Sequence, residues 1–127
     1  METGGMKGKR QELSKEEFHA LLCEAFSVPA IHSEYGMAEL MSQAYSSGQG
    51  IFRTPPWMRV VIRDLNDPFS RVPVERTGGV NIIDLANVWS CAFIQTDDLG
   101  SVGQDGSFRM LGRITGSEIR GCNLLVQ

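Results

Sequence analysis

Three short segments of the sequence carry side chains that could bind a nucleotide. Residues 35–39 read Tyr-Gly-Met-Ala-Glu, in which the tyrosine ring can stack on a planar base and the glutamate can hold a hard cation. Residues 95–100 read Gln-Thr-Asp-Asp-Leu-Gly, and an aspartate between an apolar strand and a glycine can accept both hydroxyls of a ribose. Residues 112–116 place an arginine between two glycines, where its side chain can reach a phosphate or a ribose.

Each of these segments also has an ordinary structural explanation when it is taken alone. The tyrosine could be a core residue before a capped helix, the aspartates could form an acidic turn, and the arginine could be solvated in a loop. Their order along the chain favours a shared function. Whether they can act together depends on the helices and strands that position them.

An N-terminal helix is the element that the sequence defines best. Ser14 and Glu17 form a capping box, in which each side chain can bond to a free backbone N–H at the start of the helix. Apolar residues then recur at helical spacing until Pro29, which predicts one stripe packed against a core. This stripe consists of Phe18, Leu21, Leu22, Ala25 and Phe26.

The chain around the first candidate segment is predicted to be a strand followed by a helix. Residues 30–33 indicate a short buried strand that leads to the tyrosine, and a second, shorter helix is expected from residue 37 to about residue 45. A helix start leaves backbone N–H groups unpaired, which makes such a junction a usual place for a ligand.

The remainder of the chain predicts strands. β-rich runs bounded by turn residues, a hairpin turn and an exposed loop are expected, followed by shorter apolar pieces toward the end of the chain. The runs are residues 57–63, 80–85 and 89–95, the hairpin turn is residues 105–107, and the loop is residues 66–77. We therefore expect an α+β fold in a single domain over residues 1–127. One or two N-terminal helices and a short buried strand are followed by a small antiparallel sheet, either barrel-like or open.

Composition narrows the function classes. The chain has 127 residues, 42% hydrophobic, which suits one domain, and its net charge of −3 argues against a nucleic-acid partner. No apolar run is long enough to span a membrane and no signal-peptide core is visible, so we expect a cytoplasmic protein. The three cysteines are too scattered for a disulfide framework or a CxxC metal site. Of these, Cys23 and Cys91 are expected to be core or near-core thiols, and His19 and His32 are assigned no role.

Taken in order, Y-G-x-x-E, T-x-D-L-G and G-R resemble the motifs of the adenylate-forming superfamily of acyl and aryl ligases. The resemblance implies ATP and Mg²⁺ as cofactors, with adenine held at Tyr35 and Gly36 and magnesium held at Glu39. It implies that Asp98 and Arg113 fix the ribose.

Further stretches look more narrowly like the C-terminal third of the acyl-protein synthetases, which are ATP-dependent components that activate fatty acids and feed an acyl reductase. These stretches are residues 2–5, 45–50, 55–58 and 112–126. In the first of them, Gly4 and Gly5 look like the glycine pair that lies against adenine. The resemblance implies that the intact enzyme activates a carboxylic acid, with a fatty acid expected, as acyl-AMP and passes the acyl group to a cysteine thiol.

Cys122 is the cysteine that this resemblance marks as the acyl acceptor. It follows Arg120 and Gly121, and a thiolate beside a cationic side chain is a good nucleophile for an acyl adenylate. Its alternative is a small buried apolar residue before Leu124. An acyl reductase, the missing N-terminal portion or a second copy of the chain are the expected partners.

The sequence also departs from the family pattern. Asp97 stands where the ribose motif has glycine, although the spacing to the following Leu-Gly favours Asp98 as the ribose ligand. The upstream phosphate loop is missing, and no lysine follows Arg113, so we expect the 127-residue chain to be inactive alone. Two alternatives stay open: a fragment of an aryl- or acyl-CoA ligase of the phenylacetate type, and a binding module without catalysis that kept the fold.

Overall fold

The computed structural model describes residues 1–3 and 15–114, which form one α-helix, one short 3₁₀-helix and eight β-strands. The elements are β1 (Glu2–Thr3), α1 (Lys15–Phe26), β2 (Ser33–Tyr35), β3 (Ala44–Ser46), β4 (Ile51–Arg53), β5 (Met58–Arg63), β6 (Gly78–Asp84), the 3₁₀-helix (Leu85–Asn87), β7 (Phe93–Val102) and β8 (Phe108–Arg113).

All eight strands belong to one sheet, in the order β1-β2-β3-β4-β8-β7-β6-β5. The β1–β2 pair is parallel and the other neighbouring pairs are antiparallel. The α+β class is therefore confirmed. Within the described residues the sheet is open, with β1 and β5 as its two edges, and the parallel β1–β2 pair makes it a mixed sheet.

The hydrophobic core lies on one face of the sheet, where every second side chain of a strand is buried. In β5 the side chains of Met58, Val60 and Ile62 are buried while Arg59 between them is exposed, which is the two-residue period of a half-buried strand. Phe52 and Phe108 stack with their ring centroids 5.3 Å apart and fill the centre. The remaining buried apolar residues of this cluster are Ala44, Val80 and Ile82.

The first helix is confirmed, and it ends at Phe26, three residues before Pro29. Its proposed cap at Ser14 lies outside the described residues. None of residues 16–26 is fully buried, and Phe26 is 70% exposed. The apolar stripe of α1 is therefore only partly covered by the described chain.

The second predicted helix is wrong: residues 36–43 form a loop with a turn and a bend, and residues 44–46 form β3. The cause is non-local. Asp84 on β6 accepts hydrogen bonds from the backbone N–H groups of Met41 and Ser42, and Asn87 donates to the carbonyl of Glu39. These side chains form hydrogen bonds with backbone groups that would pair with each other inside a helix. In addition, β3 pairs with both β2 and β4.

The later strands fall largely where the sequence places them, with two corrections. The predicted runs 57–63 and 80–85 match β5 and β6, and residues 105–107 do form the hairpin turn between β7 and β8. The third run starts later, at Phe93, and continues to Val102. Cys91 therefore precedes the strand and is exposed instead of buried. Among the described residues there is no helix long and apolar enough to cross a membrane.

Candidate functional site

The fold brings together one residue from each of the three candidate segments. The hydroxyl of Tyr35 donates to Oδ2 of Asp98 over 3.0 Å, although the two residues are 63 positions apart. Arg113 Nε lies 3.7 Å from Oδ1 of Asp98, and its Nη2 lies 3.8 Å from Oδ2 of Asp97. Arg113 thus forms ion pairs, at distances longer than hydrogen bonds, with both carboxylates of the acidic segment.

Three strands position this cluster. Asp98 and Arg113 are direct partners in the β7–β8 ladder, while Tyr35 stands at the end of β2, which is separated from β7 by three strands in the sheet order. Because the Tyr35 hydroxyl on β2 contacts the Asp98 carboxylate on β7 directly, the sheet must curve around its own core. The Tyr35 ring lies in this curl, edge-on to Phe52 and Phe108 at centroid distances of 6.2 and 5.6 Å.

The surroundings of Tyr35 keep its phenol protonated. Burial raises its pKa well above the usual value, and the charge and hydrogen bond of Asp98 raise it further, against smaller opposing effects of Thr96 and Arg113. The hydroxyl is therefore a fixed donor to Asp98, and the half-buried carboxylate of Asp98 keeps its other oxygen turned toward Arg113.

A bulge in β7 presents Asp98. In the β6–β7 ladder, Asn81 pairs with Gln95 and Gly79 pairs with Leu99, so residues 96–98 stand opposite the single residue Val80. The hydroxyl of Thr96 closes the bulge by donating to the Val80 carbonyl over 2.9 Å and accepting from the Asp98 N–H over 3.1 Å. At this point Asp97 and Asp98 are not paired with β6, although Asp98 still pairs with Arg113 on β8. Sequence reasoning interpreted the same residues as a strand end.

A buried carboxylate that sequence reasoning missed holds the loop after Tyr35. Asp84 is fully buried and accepts from the Met41 and Ser42 N–H groups, from the Ser42 hydroxyl over 2.7 Å and from the Ala86 N–H. Burial alone would raise the pKa of Asp84, but the hydrogen bonds of Ser42, Ala86 and Met41 outweigh it and hold the pKa below its ordinary value. Ser42 in turn accepts from Nε1 of Trp57.

Glu39 lies in this loop, exposed and in a turn instead of one turn into a helix. Its backbone is anchored by Asn87, while the carboxylate faces solvent. Within residues 1–3 and 15–114, no group of three or more His, Cys, Asp or Glu side chains could by itself hold a metal ion. A single exposed carboxylate fits a Mg²⁺ ion whose other ligands are phosphate oxygens and water, which is how this ion is commonly bound.

The other predicted site residues have different positions. Gly36 follows Tyr35 directly and is exposed, and a Cβ there would lie 3.1 Å from Cγ of Gln43. Gly4, Gly5 and Cys122 lie outside the described residues. The structure therefore brings together Tyr35, Asp98 and Arg113, and its described contacts do not connect Glu39 to them.

A second polar cluster and a cavity lie away from these residues. His19 Nε2 is 3.0 Å from Oε1 of Glu2, and the hydroxyl of Ser33 donates to the same carboxylate. No local sequence signal could have shown this contact, because its members come from β1, α1 and β2. The cavity, of about 550 Å³, lies between α1 and the β3–β4 hairpin, with His19, Cys23 and Arg53 among its lining residues.

Comparison with known proteins gives a relative and a set of structural neighbours. The chain is 29% identical, over 96% of its own length, to a long-chain-fatty-acid–luciferin-component ligase of Vibrio harveyi, of which it spans 35%. No known family profile matches the chain. Among solved structures, the luciferase-like enzyme of the nonluminescent mealworm Zophobas morio matches 86% of the chain and is covered to 31%, with a TM-score of 0.57 and 17% identity.

ATP-bound MatB of Rhodopseudomonas palustris matches 65% of the chain and is covered to 20%, with a TM-score of 0.50 and 18% identity. The chain thus spans about a third of its curated relative and less of the solved structures. The two structural matches show the fold, and the relative extends over nearly the whole chain. The chain is therefore similar in sequence, over nearly its whole length, to about a third of the Vibrio harveyi ligase, and similar in fold to part of the two solved enzymes.

Proposed function

We propose that the chain is the C-terminal portion of an ATP-dependent acyl-protein synthetase. In the intact enzyme, an oxygen of a carboxylic acid, with a fatty acid expected, attacks the α-phosphorus of ATP. The bond to pyrophosphate breaks and acyl-AMP forms. A cysteine thiolate then attacks the acyl carbonyl, AMP leaves, and a thioester remains. The similarity to the Vibrio harveyi ligase supports the acid substrate, and the ATP-bound neighbour supports the nucleotide.

The observation that carries the proposal is the meeting of Tyr35, Asp98 and Arg113. A nucleoside needs a flat apolar surface for its base and an acceptor for its ribose hydroxyls. The Tyr35 ring is held on the Phe52–Phe108 stack, and Asp98 offers a carboxylate fixed at both oxygens. In this role Asp98 accepts from the ribose, and Arg113 supplies positive charge beside it.

Mg²⁺ would be held at Glu39, where it would neutralise the phosphates as pyrophosphate leaves. The chain's own part is to fix the backbone of this turn through Asn87 and Asp84, so that the Glu39 carboxylate projects from a defined position. Gly36, Gly4 and Gly5 belong to the same proposal, as residues without side chains against which the base lies.

Cys122 is the proposed acyl acceptor. CoA as acceptor is the competing interpretation, since aryl- and acyl-CoA ligases also form acyl-AMP. The two interpretations share every role assigned to Tyr35, Asp98 and Arg113, so the nucleotide site can be tested without deciding the acceptor.

A binding measurement on the full chain tests the site. A non-hydrolysable acyl-AMP mimic, an acyl sulfamoyl adenosine, is titrated calorimetrically into wild type, Asp98→Asn and Asp97→Asn. We expect the dissociation constant to rise about tenfold or more for Asp98→Asn, since a hydrogen bond to a charged group is lost, and about twofold or less for Asp97→Asn. Equal effects of the two variants, or no binding by wild type at millimolar concentration, would overturn the proposed site.

A further inference from the structure

A buried arginine lies beneath the bulge that presents Asp98. Arg63, at the end of β5, is 6% exposed, and Nη1 donates to the Val80 carbonyl over 3.1 Å and to Oδ1 of Asn81 over 2.9 Å. Its Nη2 donates to the Thr96 carbonyl over 2.9 Å. All three partners are neutral oxygens, and two of them are the main-chain carbonyls of the residues that face each other across the bulge.

The Thr96 carbonyl needs a donor from outside the ladder, and the Val80 carbonyl, which already accepts from the Thr96 hydroxyl, can accept a second hydrogen bond. Where three residues oppose one, the ladder cannot pair every backbone group, and a buried carbonyl without a partner is costly. A guanidinium is suited to the gap because its donors diverge in one plane, so one group can serve both strands. Arg63 thereby joins β6 and β7 at the one point where their own ladder is interrupted.

Gly79 leaves the space that the Arg63 side chain occupies. Since β5 and β7 lie on opposite sides of β6, the guanidinium must cross β6 to reach Thr96. A Cβ on Gly79 would lie 2.4 Å from Cζ of Arg63 and 2.5 Å from its Nη1. Such distances are impossible for real atoms, so the position of the guanidinium depends on the missing side chain of Gly79.

We propose that Arg63 is a positioning residue of the nucleotide site: it holds the Thr96 carbonyl at the bulge and thereby fixes the backbone that presents Asp98. The connection runs from the guanidinium to Thr96, from the Thr96 hydroxyl to the Asp98 N–H, and from the Asp98 carboxylate to Tyr35. Arg63 itself is buried beneath the bulge, so it acts through the backbone that carries Asp98. Its relevance to nucleotide binding rests on the function proposed above.

The first test measures binding of the acyl sulfamoyl adenosine to Arg63→Met, Arg63→Lys and Gly79→Ala. Arg59→Met is the matched control, because Arg59 lies on the same strand with an exposed side chain. We expect the dissociation constant to rise about tenfold for Arg63→Met and Gly79→Ala, less for Arg63→Lys, and to stay within about twofold for Arg59→Met. Wild-type affinity in Gly79→Ala and Arg63→Lys would overturn the inference while leaving the proposed function intact.

The second test needs no nucleotide. In a Tyr45→Phe background Tyr35 is the remaining tyrosine, and tyrosinate absorbance reports whether its phenol ionises. Burial and Asp98 raise the pKa of this phenol above the ordinary tyrosine value, so its tyrosinate forms at higher pH than that of a free tyrosine. We expect the titration midpoint to fall toward the ordinary value in Gly79→Ala and Arg63→Met while circular dichroism shows a folded chain, and to stay unchanged in Arg59→Met. Unchanged protonation in both folded variants would overturn the inference even if wild type bound no nucleotide, and Arg63→Lys replaces Arg63→Met if the latter does not fold.

Discussion

Tyr35 and Asp98, 63 residues apart in the chain, share a hydrogen bond of 3.0 Å between the phenol and a carboxylate that also faces Arg113. The bond links the end of β2 to the bulge of β7 across the aromatic core. Each residue fixes the other, since the carboxylate holds the hydroxyl and the ring is held by Phe52 and Phe108. The pair therefore serves as a structural link and as the centre of the candidate nucleotide site.

Tyr35→Phe separates these two roles. The ring and its packing remain, while the hydrogen bond to Asp98 is lost. We expect the free energy of unfolding to fall by about 1.5–2 kcal/mol, the lower part of the usual range for a hydrogen bond to a charged group, and by about 3 kcal/mol or more for Tyr35→Ala, which also removes the ring. Urea denaturation measures both. An equal loss for the two variants would show that the ring contributes little beyond its hydroxyl.

Asp84 gives a prediction about acid stability. Because its pKa in the folded chain is lowered, its ionised form contributes stability that is complete above the ordinary aspartate pKa and is lost as the pH falls through the folded value. Stability of wild type should therefore decline as the pH drops below about 5. Asp84→Asn offers one acceptor oxygen where the carboxylate offers two, and we expect it to lower stability at neutral pH by about 2–3 kcal/mol.

The same variant should also show a weaker dependence of stability on pH below about 5, because the titrating group is gone. Urea denaturation over a pH series measures this, with Asp97→Asn as the exposed control. An acid dependence as steep in Asp84→Asn as in wild type would assign the acid sensitivity to other carboxylates.

Much of the candidate site could be predicted from sequence, because each of its three segments is a local motif whose residue types indicate what they could bind. Tyr35, Asp98 and Arg113 can be selected from such motifs and the fold brings them together, while the role of each in nucleotide binding stays a prediction. The strand β5 was equally readable, since the two-residue period of its apolar side chains is a property of the sequence alone.

The features that could not be predicted depend on contacts between distant segments. Residues 36–43 have the composition of a weak helix, and only Asp84 and Asn87, more than forty residues later, decide that they form a loop. Arg63 likewise resembles any strand-end arginine until Gly79 and the bulge supply its burial. Local propensity is too weak to outweigh such buried hydrogen bonds.

Exposed apolar residues predict association of the chain. Of the α1 residues Phe18, Leu22 and Phe26, the last is 70% exposed. Beyond the 3₁₀-helix, Trp89 and Phe93 are 98% and 72% exposed. Exposed apolar groups of this size favour association. We expect a dimer or larger species by light scattering, and a shift toward monomer in Phe26→Ser or Trp89→Ser. A monodisperse monomer at high concentration would contradict this prediction.

The 127-residue chain should not catalyse acid-dependent exchange between ATP and pyrophosphate. Departure of pyrophosphate needs electrostatic support from a phosphate loop and a lysine, and the motifs for both are missing from this sequence. The chain should nevertheless bind the acyl sulfamoyl adenosine, since Tyr35, Asp98 and Arg113 are all present. Exchange above that of a Glu39→Ala control would show that the residues present suffice for the chemistry.

The last prediction concerns the acceptor, and it separates an acyl-protein synthetase from a CoA ligase. In a longer enzyme that contains this sequence, supplied with ATP, Mg²⁺ and a labelled long-chain acid, we expect label to become bound to protein and to be released by neutral hydroxylamine, as a thioester requires. Cys122→Ser should abolish this label while acyl-AMP still forms, because the thiol acts only after activation.

The other two cysteines provide the controls for this experiment. Cys91 is exposed and Cys23 is half-buried on α1, so both thiols are open to non-specific acylation by a reactive adenylate. Cys91→Ser and Cys23→Ser should keep the label if transfer is directed to Cys122. Label that survives Cys122→Ser but disappears in Cys91→Ser would move the acceptor to the start of β7. If CoA is added and the label is found on CoA and not on protein, the intact enzyme is a CoA ligase, with the same roles for Tyr35 and Asp98.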